Sequence, residues 1–171
     1  MEIRLAQLDD KKAILSIIKN VVIDMSSQGI NQWDQTYPNE EVVTEDILDR
    51  EVYVASEDTV IKGVVTLNEY QDEEYETIPW KYNGDKILVI HRLCVDPKFQ
   101  GAGIATKLLN FAEQFGKQNN YSAIRLDSFT ENKGACRLYE KHGYERRGFV
   151  TFRKGDFICF EKNYKTHKEI L

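Results

Sequence analysis

The chain has 171 residues, 42% of them hydrophobic, which is enough for one well-packed domain and short for two. A net charge of -5 argues against a general nucleic-acid binder, because such a protein needs a basic footprint to displace counterions. Cys94, Cys136 and Cys159 are odd in number and lack a CxxC pair, and no segment approaches the roughly 20 apolar residues needed to span a bilayer. The expectation is therefore a single domain over residues 1-171, cytoplasmic, with no disulfide framework, no metal, no nucleic-acid partner and no membrane partner.

In chain order, "EIRLAQ" alternates as a first strand, and Asp9 or Asp10 then caps a helix whose Ile14, Ile17, Ile18, Val21, Val22 and Met25 form one stripe. "SSQGINQWDQTYPNE" breaks that period as an aromatic-rich loop, and a short helix from about Asn39 carries Val42, Val43 and Ile47. "VYVAS" and "VIKGVVTLNEY", separated by "EDT", predict an antiparallel hairpin. An acidic loop, "QDEEYETIPWKYNGD", leads to "KILVIHRLCV", the most continuous strand-like run and thus the expected centre of the sheet. "GIATKLLNFAEQFGKQNN" is an amphipathic helix with a stop at Asn119 and Asn120. "SAIRLDSF" is a strand, "NKGACRLYEKHG" a helix ended by Gly143, and "GFVTFRK" with "DFICFEKNY" a closing hairpin.

The stretch "KFQGAGIATKLL" puts a glycine-rich turn directly before a helix. Backbone amides of such a turn, together with the unpaired amides of the helix start, converge on one spot that favours an anion. A P-loop is excluded, since Thr106 stands where its second glycine belongs and Leu108 where its Mg²⁺-binding hydroxyl belongs. A dinucleotide fingerprint fits partly, with Gly101 and Gly103 in place, Thr106 for the third glycine and Asp127 ending a later strand. Its mid-chain position after an antiparallel hairpin leaves too little chain for the second half of a doubly wound sheet.

The remaining pattern is [QR]-x-x-G-x-[GA], present as Gln100-Gly101-Ala102-Gly103-Ile104-Ala105, preceded by "LCVDP" and followed by the amphipathic helix. A second motif, "NKGACRLYEKHGY", carries Asn132, Ala135, Tyr139, Gly143 and Tyr144. With both in this order the chain resembles the GNAT superfamily of acyl-CoA N-acyltransferases. The resemblance implies an α/β fold of the mixed α+β kind: a central mixed, largely antiparallel sheet with helices on both faces. It implies acetyl-CoA as co-substrate and a primary amine of a small molecule or peptide as acceptor, attacked directly.

On that resemblance the coenzyme diphosphate lies on Gln100, Gly101, Ala102, Gly103, Ile104, Ala105 and Thr106, and the thioester carbonyl and pantetheine amides on the backbone of Leu93, Cys94 and Val95. Asn132 touches the pantetheine side, and Tyr139, seven residues on and so on the same helical face, is the general acid for the leaving thiolate. His91, on the central strand, is a candidate base acting directly or through water, although the family also uses water relays and acceptor-side carboxylates. His142, at a helix C-terminus, and His167, in the tail, read as surface residues. Cys94 as an acyl carrier has no paired His or carboxylate evident from spacing.

For the acceptor, Trp33, Asp34 and Tyr37 offer flat apolar surface and a carboxylate, or else a loop pinned to the core by Trp33. Glu69, Asp72, Glu73, Glu74 and Glu76 form either a solvated acidic loop or an attractor for a cation. The terminal hairpin could pair with another chain as a homodimer. Two other classes remain: a coenzyme-A-binding sensor or inactive scaffold, and a dinucleotide-dependent oxidoreductase.

Overall fold

The computed structural model describes residues 1-164, so His167 lies outside the described residues. Strand β1 (Glu2–Leu5) passes through a 3-10 turn at Leu8–Asp10 into helix α1 (Lys11–Ser27). Asp10 occupies the expected N-cap position, but its carboxylate does not cap α1. It accepts from Arg4 Nη1 at 2.8 Å and Nη2 at 3.0 Å and from the Gln7 amide at 2.8 Å. The forked guanidinium bond outweighs a single capping bond and holds the Asp10 carboxyl below its usual range. Helix α2 (Glu40–Leu48) does have a side-chain cap, since Asn39 Oδ1 accepts the Val42 amide at 3.0 Å.

Strands β2 (Val52–Glu57) and β3 (Val60–Asn68) form the expected antiparallel hairpin. Its turn residues Asp58 and Thr59 both have positive φ, 50° and 67°, as the hairpin turn that matches strand twist requires. The remaining elements are β4 (Ile87–Val95), α3 (Ile104–Gln118), β5 (Ala123–Phe129), α4 (Lys133–Lys141), β6 (Glu145–Phe152) and β7 (Gly155–Asn163). The closing hairpin begins at Glu145, three residues ahead of the sequence expectation. Seven strands run in the order β1-β2-β3-β4-β5-β7-β6, and of the pairings described only β4 with β5 is parallel. The mixed, largely antiparallel sheet expected from sequence is therefore present.

The chain divides into two compact units. In the first, Met1–Leu67 with His91–Phe111, α1 and α2 bury Ile14, Ile17, Ile18, Val21, Val43 and Ile47 against Val52, Val54, Val64 and Cys94. On the opposite face of β3, Gly63 admits the start of α3: a Cβ there would lie 3.0 Å from Ile104 and 3.1 Å from Leu108. Helices thus cover both faces of this part of the sheet.

The second unit holds Asn68–Ile90 and the described chain from Ala112 onward. Its core is built from Ile124, Leu126 and Phe160, each fully buried, with Tyr139 and Tyr144 packed beside them. The loop between β3 and β4, expected as an acidic solvated stretch, is pinned from below. Arg125 donates Nη1 to Gln71 Oε1 at 2.7 Å and Nη2 to the Tyr82 carbonyl at 3.0 Å, and its guanidinium lies 4.3 Å from the Trp80 ring centre. Fully buried Glu161 accepts the amides of Lys81 at 2.7 Å and Tyr82 at 3.2 Å and pairs with Arg147. The acids Glu69, Glu73, Glu74, Glu76 and Asp85 of that loop are exposed, while Asp72 is half-buried.

Candidate active site

The first unit carries the turn that the sequence singles out. After β4, Asp96 caps a 3-10 turn (Pro97–Phe99) by accepting the Lys98 amide at 3.1 Å. Gln100 is extended, and Gly101 and Gly103 follow at φ 84° and 77°, a conformation that L side chains adopt only with strain. A Cβ built on either glycine meets nothing within 4 Å, so the space above the turn is open. The Lys107 amide bonds the Gly103 carbonyl at 3.1 Å, which leaves the amides of Ile104, Ala105 and Thr106 before the first intrahelical bond. Gly101, Ala102 and Gly103 are exposed, and the helix that starts here brings its positive end to them. This arrangement fits a diphosphate: a cradle of main-chain donors, clear of side chains, with no carboxylate in the turn itself.

The end of β4 supplies the other backbone groups. Leu93 is half-buried, while Cys94 and Val95 are buried, and Gln100 Nε2 reaches the Val95 carbonyl at 3.4 Å, tying the turn to the strand end. Burial, with Asp96 adding to it, pushes the Cys94 thiol up to about 12, so it holds almost no thiolate at neutral pH. His91 is half-buried on the same strand. The strand is irregular at Arg92, where φ is 50°.

In the second unit, Asn132 is the N-cap of α4, its Oδ1 accepting the Ala135 amide at 3.2 Å. The asparagine of the motif thus starts the helix that carries Tyr139. Tyr139 is 7% exposed, with Tyr144 at 6.0 Å edge-on and Phe160 at 5.8 Å between ring centres. Gly143 ends this helix with φ 85°. His142 Nδ1 lies 2.8 Å from the Leu138 carbonyl and must donate to it, a helix-end contact as expected.

Two clusters escaped the sequence reading. In the first unit Arg92 donates to Tyr37 Oη at 2.8 Å and to Asp46 Oδ2 at 2.6 Å. In the second Tyr75 donates to Asp127 Oδ2 at 2.6 Å. Neither pair has a local spacing that could reveal it, since 46 and 52 residues separate the partners. Of the acceptor-side residues, Trp33 packs against the first unit's core, and Asp34 Oδ1 accepts from the Thr36 amide, at 2.9 Å, and from its hydroxyl, at 2.7 Å. Much of what that loop offers is therefore spent on holding its own shape. Among the described residues no cluster of His, Cys, Asp and Glu could hold a metal ion, and no helix is long and apolar enough to cross a membrane.

Residues 21–144 match the model of the Acetyltransferase (GNAT) family. The N-acetyltransferase YesJ of Bacillus subtilis is 26% identical over 160 residues, which span 92% of this chain and 87% of that protein. A GNAT-family acetyltransferase structure from Streptococcus agalactiae superposes with a TM-score of 0.86 at 24% identity, covering 96% of each chain. The yncA acetyltransferase of Salmonella typhimurium, solved with acetyl-CoA, has a TM-score of 0.71 at 19% identity over 98% of this chain and 95% of that one.

Proposed function

The chain belongs to the GNAT family of N-acetyltransferases, and from that premise we propose that it moves the acetyl group of acetyl-CoA to a primary amine of a small molecule or peptide by direct attack. The observation that carries this reading is the open, positive-φ turn at Gly101 and Gly103 immediately before α3. Gln100 to Thr106 would hold the coenzyme diphosphate through main-chain donors, and no Mg²⁺ ligands are required because the diphosphate is not cleaved. When bound, acetyl-CoA supplies an activated thioester. The main chain of Leu93, Cys94 and Val95 would orient the carbonyl and offer fixed donors to developing negative charge.

Tyr139 carries a phenolic O–H and is the proposed donor to the departing sulfur, while Asn132 fixes the helix start that positions it. His91 is the imidazole that β4 offers to the amine's proton. An acyl-enzyme on Cys94 is disfavoured by its burial and raised pKa. Cytoplasmic location and pairing of two copies through the terminal hairpin belong to the same reading.

The test is thiol release from acetyl-CoA in the presence of spermidine, free amino acids, an aminoglycoside and a short peptide with a free N-terminus. Acceptor-dependent release is expected. Tight coenzyme binding without release from any acceptor would instead favour a sensor or scaffold.

A further inference from the structure

In the second unit the loop between β3 and β4, together with Arg125 of β5, lines a cavity of about 530 Å³, a volume typical of small-ligand sites. Part of its wall is apolar and fixed. Tyr75, Ile78, Pro79 and Trp80 supply it; the two aromatic rings lie 5.3 Å apart, and Trp80 Nε1 donates to the Tyr75 carbonyl at 2.9 Å, which holds the indole in place.

The cation in this wall is poorly matched by the protein itself. Arg125 is only 6% exposed, yet its bonds all go to neutral acceptors: Gln71 Oε1 at 2.7 Å, the Tyr82 carbonyl at 3.0 Å and Asn83 Oδ1 at 3.2 Å. Its cross-strand neighbour Glu161 spends its oxygens on the Lys81 and Tyr82 amides and on Arg147. Burial pulls the Arg125 guanidinium below its usual range, and the attraction of Glu161 opposes this only in part. Buried charges are ordinarily paired, and among the described residues no carboxylate bonds this one.

Donors are also left over beside it. Nη1 of Arg125 carries a second hydrogen beyond the one given to Gln71. Gln71, its oxygen locked on that guanidinium, keeps both hydrogens of Nε2 without a partner among the described residues. Neighbouring amide and guanidinium donors suit the two oxygens of a carboxylate. The same cavity is lined by Asp72 and by exposed Glu76, neither of which forms an ion pair with Arg125. Those acids would repel a simple anion and attract an ammonium group, so the lining asks for both charges on one ligand, with an apolar body against Trp80 and Tyr75.

We propose that this cavity binds a free amino acid with an apolar side chain, its carboxylate on Arg125 and Gln71 and its ammonium toward Asp72 and Glu76.

The experiment is a titration followed by NMR through the Trp80 indole N–H signal, which Trp33→Phe assigns because the chain has only two tryptophans. The probes are L-phenylalanine, phenylpropanoate, which lacks the amine, and phenylethylamine, which lacks the carboxylate. Acetyl-CoA is left out, so the outcome does not depend on the acetyl-transfer reading. L-Phenylalanine should move the signal saturably and bind roughly tenfold or more tighter than either analogue. Arg125→Met should weaken L-phenylalanine and phenylpropanoate by roughly tenfold or more and leave phenylethylamine unchanged. Glu76→Gln, at an exposed position, should weaken L-phenylalanine and phenylethylamine by roughly threefold and spare phenylpropanoate. A variant that only loosened the loop would not discriminate between probes by charge. If Arg125→Met does not fold, Gln71→Leu carries the same expectation for the carboxylate end. Thiol release on adding acetyl-CoA would make the bound amino acid the acceptor, and binding without release would make it a separate ligand; the site stands in both cases. A signal that no probe moves, or variants that weaken all three probes alike, overturns the proposal.

Discussion

Arg92 Nη2 lies 2.6 Å from Asp46 Oδ2, an ion pair across 46 residues of sequence that ties β4 to α2. Each side chain is only 14% exposed, and Arg92 sits where the backbone of β4 turns to φ 50°. Burial pushes the Asp46 carboxyl up by more than Arg92 beside it pulls it down, so the pair is costly to assemble. Its benefit is geometric: it fixes the strand irregularity directly before Leu93. Asp46→Ala should destabilise the protein by about 3 kcal/mol, because it strands a mostly buried guanidinium. Replacing both residues with apolar side chains of similar volume should cost much less. Urea unfolding of the single and double variants checks this, and equal losses would count against it.

Gly103 has open space where a Cβ would go and a φ of 77°. Substitution therefore acts through backbone strain of about 1–2 kcal/mol and through obstruction of the turn, not through a clash with the core. Gly103→Val should raise the KM for acetyl-CoA by roughly tenfold or more while leaving the fold intact by circular dichroism. An unchanged KM would remove the turn from coenzyme binding.

Tyr139 packs on Tyr144 and Phe160 through its ring, contacts that phenylalanine would keep. Tyr139→Phe should accordingly lower kcat by about 10²-fold with acetyl-CoA affinity preserved, since only the acidic proton is lost. Full turnover in this variant would reduce Tyr139 to a packing residue.

All three cysteines are buried, and the thiols of Cys94 and Cys159 are pushed up to about 12. Native protein should react slowly with iodoacetamide at pH 7 and keep its activity, whereas unfolded protein should expose every thiol. Rapid alkylation of Cys94 with loss of turnover would revive a covalent acyl-enzyme.

The parts of this protein written in local pattern were legible without a structure. The helical stripe of Ile14, Ile17, Ile18 and Val21 and the β-rich runs that become the β2–β3 hairpin are set by neighbours in sequence, and so are the glycines at 101, 103 and 143, each of which does take positive φ. The anion-binding turn was readable for the same reason, because its donors belong to consecutive residues. Even so, local rules failed where a distant partner competed, as when Arg4 drew the Asp10 carboxylate away from capping α1. Tertiary structure decided what the side chains of single residues do: that Arg92 is held by Asp46 and Tyr37, that Trp80 and Glu161 pin a loop the sequence marks as merely acidic, and that Asp127 accepts the Tyr75 phenol. The physical reason is range. Backbone conformation and hydrophobic period are set within a few residues, whereas the burial and pairing of a charge depend on groups that only folding brings within hydrogen-bond distance.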